Sequence, residues 1–320
     1  MPDRHTRAVR ALLGLTIAGV ALAGCSESAT TASTTTPSAS AAATTATTTT
    51  ATTTTTTRSA APVVTKLLVV VVENHSLAQM RDQMPYTYAL ARQYGYATDY
   101  RAITHPSLPN YLAMVSGGTQ GVTNDDPPAR HRLDAPTVFG RALAAGQTAG
   151  TYADAMPRPC ATANAGRYAV RHNPWTYFVS ERADCARHDL PLAALPGAIR
   201  AGALPNAGML VPDVCNDAHD CSLATADRWF RTWMGRIEAG PDWRSGRLAV
   251  VLTADEDDKH SGNTVLTVVA HPSLHGKVVA TRLDHYSLAR LYAEVTGTAP
   301  LGRAASAPSM ARAFALPVRR

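Results

Sequence analysis

Acidic and polar residues stand directly after the most apolar runs of this chain. The Val-rich run 66–72 leads into Glu73 and Asn74, and a later apolar run ends just before Asp255 and Glu256. Carboxylate and amide oxygens are hard ligands of the kind that divalent cations prefer. The two clusters therefore predict a place for a metal ion, provided that the fold brings them together.

A serine that could act as a nucleophile lies between these two clusters in the chain. Ser107 precedes Pro109 and Asn110 at the predicted start of a helix. A serine there is usually an N-cap, and a proline in the first turn fits that interpretation. The same position also suits a nucleophile, because main-chain N–H groups and the helix dipole favour anions there. With Asn110 as a further donor to phosphate oxygens, the pattern favours phosphoryl or sulfuryl ester hydrolysis.

Three histidines are candidates for moving a proton. His219 lies in a polar segment between Cys215 and Cys221 and could protonate a leaving oxygen. His172 and His285 lie in other polar segments. A single loop histidine is more often structural, so we rank His219 first, His172 second and His285 third.

The elements that must position these residues alternate between strand and helix. The continuous apolar runs at 66–72 and 247–253 predict strands buried on both faces of a parallel sheet. Further strands are predicted at 148–153, 207–212 and 264–270. Helical patterns predict helices at 86–94, 107–116, 137–145, 222–238 and 286–296. This order predicts an α/β fold, a mainly parallel sheet sandwiched by helices, whose ligands bind outside the carboxyl ends of the strands. The stretch 154–190 predicts a long excursion over that site.

The first 25 residues have the pattern of a bacterial lipoprotein signal peptide. Arg4, Arg7 and Arg10 precede the apolar stretch 11–24, and a Leu-Ala-Gly sequence leads to Cys25 as the lipidation site. An ordinary secretory signal with an accidental cysteine is the alternative. The apolar run is shorter than the roughly 20 residues of a membrane span.

Residues 26–60 predict a disordered linker. They are almost entirely Thr, Ser and Ala, so they have no apolar surface to bury. The remaining residues, 61–320, are long enough for one large catalytic domain. We expect an exported protein, either held by its lipid at the outer face of the cytoplasmic membrane or the cell envelope, or released from it.

The charge is modest and argues against a nucleic-acid partner. The chain carries a formal net charge of +6, and residues 1–25 hold three arginines and one aspartate, so the remainder carries +4. This surplus has no Lys/Arg run and favours anionic substrates only through weak steering.

Four cysteines remain after Cys25, and an even number in an exported domain predicts disulfides. Of three formal pairings we favour Cys215–Cys221, which flank a short segment, and Cys160–Cys185, which would close a long loop. A Cys/His zinc site is the alternative, but the sequence contains no Cys-x-x-Cys spacing. A Gly-x-Ser-x-Gly elbow, a P-loop and a Gly-x-Gly-x-x-Gly fingerprint are also absent.

Taken together, the motifs resemble those of the bacterial phosphoesterase family, which groups secreted acid phosphatases with phospholipases C. The resemblance covers nearly all of 64–300 and rests on Glu73-Asn74-His75-Ser76, His105-Pro106-Ser107-Leu108-Pro109-Asn110, Arg171-His172, Asp213 to His219, Asp255-Glu256-Asp257-Asp258 and His285-Tyr286-Ser287. It implies an alkaline-phosphatase-like fold and one divalent metal ion held by Glu73, Asn74, Asp255 and Glu256. Ser107 would be nucleophile and further ligand, and His172, His219 and His285 would line the phosphate pocket. Lys259 departs from the pattern, since family members usually have glycine there.

The sequence therefore predicts an exported acid phosphatase that forms a phosphoserine. Its substrates would be phosphomonoesters, including phosphoinositides or other phospholipid head groups. A phosphodiesterase of the phospholipase C type is the first alternative. A non-catalytic lipoprotein that captures anionic solutes is the second.

Overall fold

The computed structural model describes residues 62–319. The signal peptide, the linker and Cys25 lie outside the described residues, so those predictions remain predictions. Within the described part, no helix is both long and apolar enough to cross a membrane.

The strands follow the predicted apolar runs closely. In chain order they are β1 (Lys66–Val72), β2 (Gly95–Ala97), β3 (Tyr100–Arg101), β4 (Ala149–Ala153), β5 (Asp189–Pro191), β6 (Ala207–Val211), β7 (Leu248–Ala254), β8 (Thr267–Ala270), β9 (Lys277–Val279) and β10 (Leu283–Asp284). Every residue of β1 and β7 is buried, as their uninterrupted hydrophobicity predicts.

The α-helices include all five that the sequence predicts. They are α1 (Leu77–Gln83), α2 (Pro85–Gln93), α3 (Ser107–Ser116), α4 (Val138–Ala144), α5 (Arg182–His188), α6 (Leu195–Ala201), α7 (Leu223–Glu238), α8 (Pro241–Arg244), α9 (His285–Thr296) and α10 (Met310–Phe314). The 3-10 turns are Val170–His172, Pro174–Tyr177, Leu192–Ala194 and Gly302–Ala305.

The main sheet has the order β5-β4-β6-β1-β7-β8-β2-β9. Strands β5, β4, β6, β1 and β7 run parallel, and β8 is antiparallel to both of its neighbours. One group of packed helices contains α3, α4, α9 and α10, and the other contains α1, α2, α6, α7 and α8. The structure thus confirms the α/β fold with a mainly parallel sheet between helices.

The register between the central strands β1 and β7 sets the position of the site. Val72 pairs with Ala254 at the carboxyl ends of the two strands. The next residues, Glu73 and Asp255, therefore leave the sheet side by side.

Both favoured disulfides are present. Cys160–Cys185 closes the excursion 154–190, which is built mainly of turns, the two 3-10 turns at Val170–His172 and Pro174–Tyr177, and α5. Cys215–Cys221 closes the short segment that follows β6. The Cys/His zinc alternative is therefore wrong, because all four thiols are consumed.

Candidate active site

The ends of β1 and β7 place Glu73, Asn74 and Asp255 in contact, with Glu256 next along the chain. Glu73 is fully buried, and the main-chain N–H of Asn74 donates to Oδ1 of Asp255 at 2.9 Å. The Asn74 side chain lies 3.4 Å from Oε2 of Glu73. Glu256 joins the cluster through Asn110, whose Nδ2 donates to its Oε2 at 3.0 Å.

Ser107 points into this cluster from the start of α3. Its Oγ donates to Oε2 of Glu73 at 2.9 Å, and the residue is only 4% exposed. The N-cap of α3 is Pro106, so Ser107 is the first helical residue. The N-cap interpretation of Ser107 is therefore wrong, because its hydroxyl bonds to a carboxylate of another element instead of capping its own helix.

Asn110 holds the loop in front of α3 instead of projecting into open space. Its Oδ1 accepts from the main-chain N–H groups of Ile103 and Thr104 at 3.0 and 3.1 Å. Its Nδ2 donates to the Thr104 carbonyl at 2.8 Å as well as to Glu256. Since its donors are already used, the structure assigns Asn110 a positioning role in place of the predicted phosphate contact.

The pKa values of the clustered carboxylates are raised, because burial and the neighbouring negative charges disfavour their ionised forms. Burial raises the pKa of Asp255 to about 6. Burial and the charge of Asp255 raise the pKa of Glu256 to about 9, and that of Glu73 well above its usual range. A nearby positive charge would reverse these shifts.

The oxygen atoms present fit the divalent cation that the family resemblance implies. Among the described residues, Oδ2 of Asp255 is buried and has no hydrogen-bond partner. The neighbouring side chains of Glu73, Asn74, Ser107 and Glu256 offer further oxygens, a donor set without sulfur that suits a hard cation. Among the described residues at this site, the carboxylate and imidazole ligand atoms that all lie within 4.8 Å of one another belong to Glu73, His172 and Asp217. Glu73, Asp255 and Glu256 are not drawn that close together.

His172 is the histidine most closely integrated into the site. Its Nδ1 lies 2.9 Å from Oδ2 of Asp217, and its Nε2 lies 3.3 Å from Oε1 of Glu73. The ring stacks on Tyr111 with 5.4 Å between centroids. Nε2 has no hydrogen-bond partner in the described part of the chain. His172 is only 1% exposed, so this nitrogen faces Glu73 inside the protein and not the solvent.

His219 lies at the rim of the same site. Its ring centroid is 5.8 Å from that of His172, and a third of its side chain is exposed. Nδ1 lies 2.6 Å from Asp220, and Nε2 lies 3.0 Å from the guanidinium of Arg171. Because arginine only donates, Nε2 of His219 acts as an acceptor here. His172 contacts Glu73, whereas His219 contacts Arg171 and Asp220. The ranking of the two histidines as proton donors stays a prediction.

His285 lies behind the ligands and does not line the pocket as the resemblance implies. It is fully buried at the first position of α9, with Nε2 2.6 Å from the Asp255 carbonyl and Nδ1 3.1 Å from the Tyr100 hydroxyl. Burial lowers the pKa of His285 to about 4. A neutral ring with both nitrogens engaged positions Asp255 and cannot bind a phosphate.

Three residues of the site were missed by the sequence reasoning. The Tyr111 hydroxyl donates to Oε1 of Glu73, and Tyr111 lies one helical turn after Ser107. Asp217 orients His172. His105 has Nδ1 2.9 Å from Glu256. The i, i+4 spacing from Ser107 could have indicated Tyr111, but nothing local to Asp217 or His105 indicates their partners.

Comparison with known proteins finds relatives that match the part of the chain that carries this site. The model of the Phosphoesterase family matches residues 76–296. A phosphatidylinositol-3-phosphatase of Mycobacterium tuberculosis is 30% identical over 240 residues, which cover 74% of this chain and 78% of that protein. An acid phosphatase of Aspergillus fumigatus is 27% identical over 232 residues, 67% of this chain and 51% of the fungal protein. The chain thus spans about half the length of that fungal relative.

Among solved structures, the fold is similar to that of a protein of the alkaline phosphatase superfamily from Vibrio parahaemolyticus. The TM-score is 0.54 at 11% sequence identity, over 78% of this chain and 72% of that chain. At this identity the likeness concerns the fold alone.

Proposed function

The chain belongs to the Phosphoesterase family and is a hydrolase that acts on phosphoric esters, and we propose that it is an exported phosphomonoesterase working through a phosphoserine at Ser107. One observation carries the proposal. The Ser107 hydroxyl, at the amino end of α3, donates to the buried carboxylate of Glu73 at 2.9 Å.

In the first step, Oγ of Ser107 attacks phosphorus and the ester bond to the leaving oxygen breaks. Glu73 accepts the serine proton through Oε2, the atom to which the hydroxyl already points. Tyr111 donates to the other carboxylate oxygen and fixes its orientation. Because Ser107 begins a helix, the helix dipole stabilises the negative charge that develops there.

A divalent cation held by Glu73, Asn74, Ser107, Asp255 and Glu256 would, when bound, supply positive charge that stabilises the serine oxygen and a phosphoryl oxygen. The same positive charge would stabilise the ionised forms of the buried carboxylates. Asn110 and His285 keep Glu256 and Asp255 in place through the hydrogen bonds described above.

The Asp217–His172 pair supplies the proton for the leaving oxygen. Burial raises the pKa of Asp217 to about 7 and lowers the pKa of His172 well below its usual value, since both groups are removed from water. We place the leaving oxygen beside Nε2 of His172, a buried nitrogen that has no hydrogen-bond partner among the described residues. In the second step the same nitrogen takes a proton from the water that attacks the phosphoserine, and Ser107 recovers its proton from Glu73.

We propose phosphomonoesters as the substrate class, with phosphoinositides favoured. Support comes from the name of the Mycobacterium tuberculosis relative and from the positive charge at the rim. Arg171 contacts His219, and Arg167, more than half exposed, pairs with Asp213 at 2.6 Å. Two guanidinium groups beside the site suit a substrate with more than one anionic group.

We also propose that the protein acts outside the cytoplasmic membrane as a lipoprotein anchored through Cys25. The support is the order of basic, apolar and Leu-Ala-Gly-Cys segments at the start of the sequence. Mass spectrometry of the protein from its native membrane would test this, since a diacylated Cys25 at the amino terminus is expected. An unmodified Cys25 would contradict it.

The catalytic proposal is tested by hydrolysis of p-nitrophenyl phosphate with the parent protein and Ser107→Ala. We expect turnover in the parent and a loss of at least about 10³-fold in the variant. Bis-p-nitrophenyl phosphate serves as the diester control. Turnover of the diester alone would establish a phosphodiesterase, and equal activity of parent and variant would remove Ser107 as nucleophile.

A further inference from the structure

The amino end of α3 offers unusually few donors to an anion. The first four N–H groups of a helix normally lack partners inside it. In α3 these positions begin with Pro106 as N-cap and include Pro109 as the third helical residue, and proline has no N–H. Only the N–H groups of Ser107 and Leu108 remain for an anion beside the nucleophile.

One of these two donors is already occupied by a carboxylate. The N–H of Leu108 donates to Oδ1 of Asp125 at 2.8 Å. Asp125 comes from the loop between α3 and α4, and Pro106 has no polar side chain that could cap the helix itself. The carboxylate therefore lies one residue from Ser107, where a negatively charged group of a substrate is stabilised.

Asp125 also brings negative charge to the site. Its carboxylate is held at the first turn of α3, the turn that carries Ser107. Asp125 thus adds negative charge to the space that a phosphate must enter. An incoming phosphoryl group meets both a blocked N–H and a repulsive carboxylate.

The contact between Asp125 and α3 is a single hydrogen bond. Within residues 62–319, the Leu108 N–H is the hydrogen-bond partner that the structure gives to the Asp125 side chain. Asp125 itself is half-buried, and Asn124 and Asp126 on either side are exposed. The carboxylate can therefore turn toward solvent when this hydrogen bond breaks.

Resting on the proposed function, we propose that Asp125 competes with the phosphoryl group for the amino end of α3. Substrate and inorganic phosphate bind fully only after its carboxylate has moved away from the Leu108 N–H. The return of the carboxylate after hydrolysis weakens the binding of the product phosphate. Asp125 is thus a built-in competitor that limits inhibition by product.

Variants of Asp125 and its neighbour test this. Asp125→Asn keeps an acceptor for the Leu108 N–H but removes the charge, and Asp125→Ala removes both. Asp126→Asn makes the same change of net charge at an exposed position without that contact. For each protein we would measure the inhibition constant of inorganic phosphate against p-nitrophenyl phosphate, the dissociation constant of phosphate by calorimetry, kcat and thermal unfolding.

We expect both phosphate constants to fall by about tenfold in Asp125→Ala and by less in Asp125→Asn, with Asp126→Asn close to the parent. Unchanged constants with a lower unfolding temperature would show that Asp125 is only a helix cap. An equal fall in Asp126→Asn would show a general charge effect. A parent that binds phosphate without turnover would overturn the proposed function while the binding comparison still tests Asp125. A parent with neither binding nor turnover would overturn both.

Discussion

The Oγ of Ser107 lies 2.9 Å from Oε2 of Glu73, although the two residues are 34 positions apart. Ser107 is fixed by the first turn of α3, and Glu73 directly follows the central strand β1. The proposed nucleophile and its proposed proton acceptor are therefore carried by two separate, buried elements. This pairing gives the catalytic proposal its most direct test.

Glu73→Gln should abolish most activity without unfolding the protein. The amide keeps the shape of the side chain but presents a donor to Ser107, so the serine loses its acceptor. We expect kcat on p-nitrophenyl phosphate to fall by about 10²- to 10⁴-fold. Tyr111→Phe is the matched control, because it removes a hydrogen bond to Glu73 but leaves the carboxylate, and its loss should stay below about tenfold. Similar losses in the two variants would contradict a special role for the carboxylate.

His172→Asn should impair poor leaving groups more than good ones. Asparagine can still donate to Asp217, but it cannot protonate the leaving oxygen. We expect a fall in kcat of about 10²- to 10⁴-fold on phenyl phosphate and a much smaller one on p-nitrophenyl phosphate. His219→Asn, at the rim, should reduce both substrates by similar, modest factors. If the dependence on leaving group appeared in His219→Asn instead, the assignment of the proton donor would be reversed.

Asp189→Asn should flatten the dependence of stability on pH. Asp189 is buried, accepts from Thr151 and Asn173, and burial raises its pKa from 3.8 to about 7. The folded state then binds more protons than the unfolded state between these values, so the free energy of unfolding falls as pH rises from about 4 to about 7. The neutral amide removes this contribution, up to about 1.4 kcal/mol per pH unit.

Denaturant unfolding of Asp189→Asn at several pH values would measure the change in slope. Asp134→Asn, at an exposed position, makes the same change of charge and should leave the slope as in the parent. A slope that is identical in the parent and Asp189→Asn would mean that Asp189 is ionised in the folded protein throughout this range.

Lys259→Gly should stabilise the loop that follows Asp258. Lys259 adopts φ of 71°, a left-handed conformation in which a Cβ atom is strained and glycine is not. Lys259→Ala is the control, since it removes the same charge and keeps Cβ. We expect the free energy of unfolding in urea to be roughly 1 kcal/mol higher for the glycine variant than for the alanine variant. A more stable alanine variant would show that the loop relaxes to another conformation.

Much of the fold could be predicted because its signals are local. The predicted strand at 66–72 coincides with β1, and the predicted helix at 107–116 coincides with α3. A Val-rich run must be buried on both faces wherever it lies, and helix periodicity depends on the spacing of residues within one segment. Short elements such as β2 and α1 were missed, because a few residues carry too little pattern to distinguish them from loops.

The sequence by itself determined which residue types stand at the strand ends and at the start of α3, and hence the chemistry available to the chain. Only the tertiary structure decided which of them meet. The register of β1 against β7 places Glu73 beside Asp255, and the packing of α3 brings Ser107 to that carboxylate. The same packing engages Asn110 and His285 in supporting hydrogen bonds and brings the Asp125 carboxylate to the Leu108 N–H. These contacts join residues far apart in the chain, so their geometry depends on the whole packed domain and leaves no trace in local spacing.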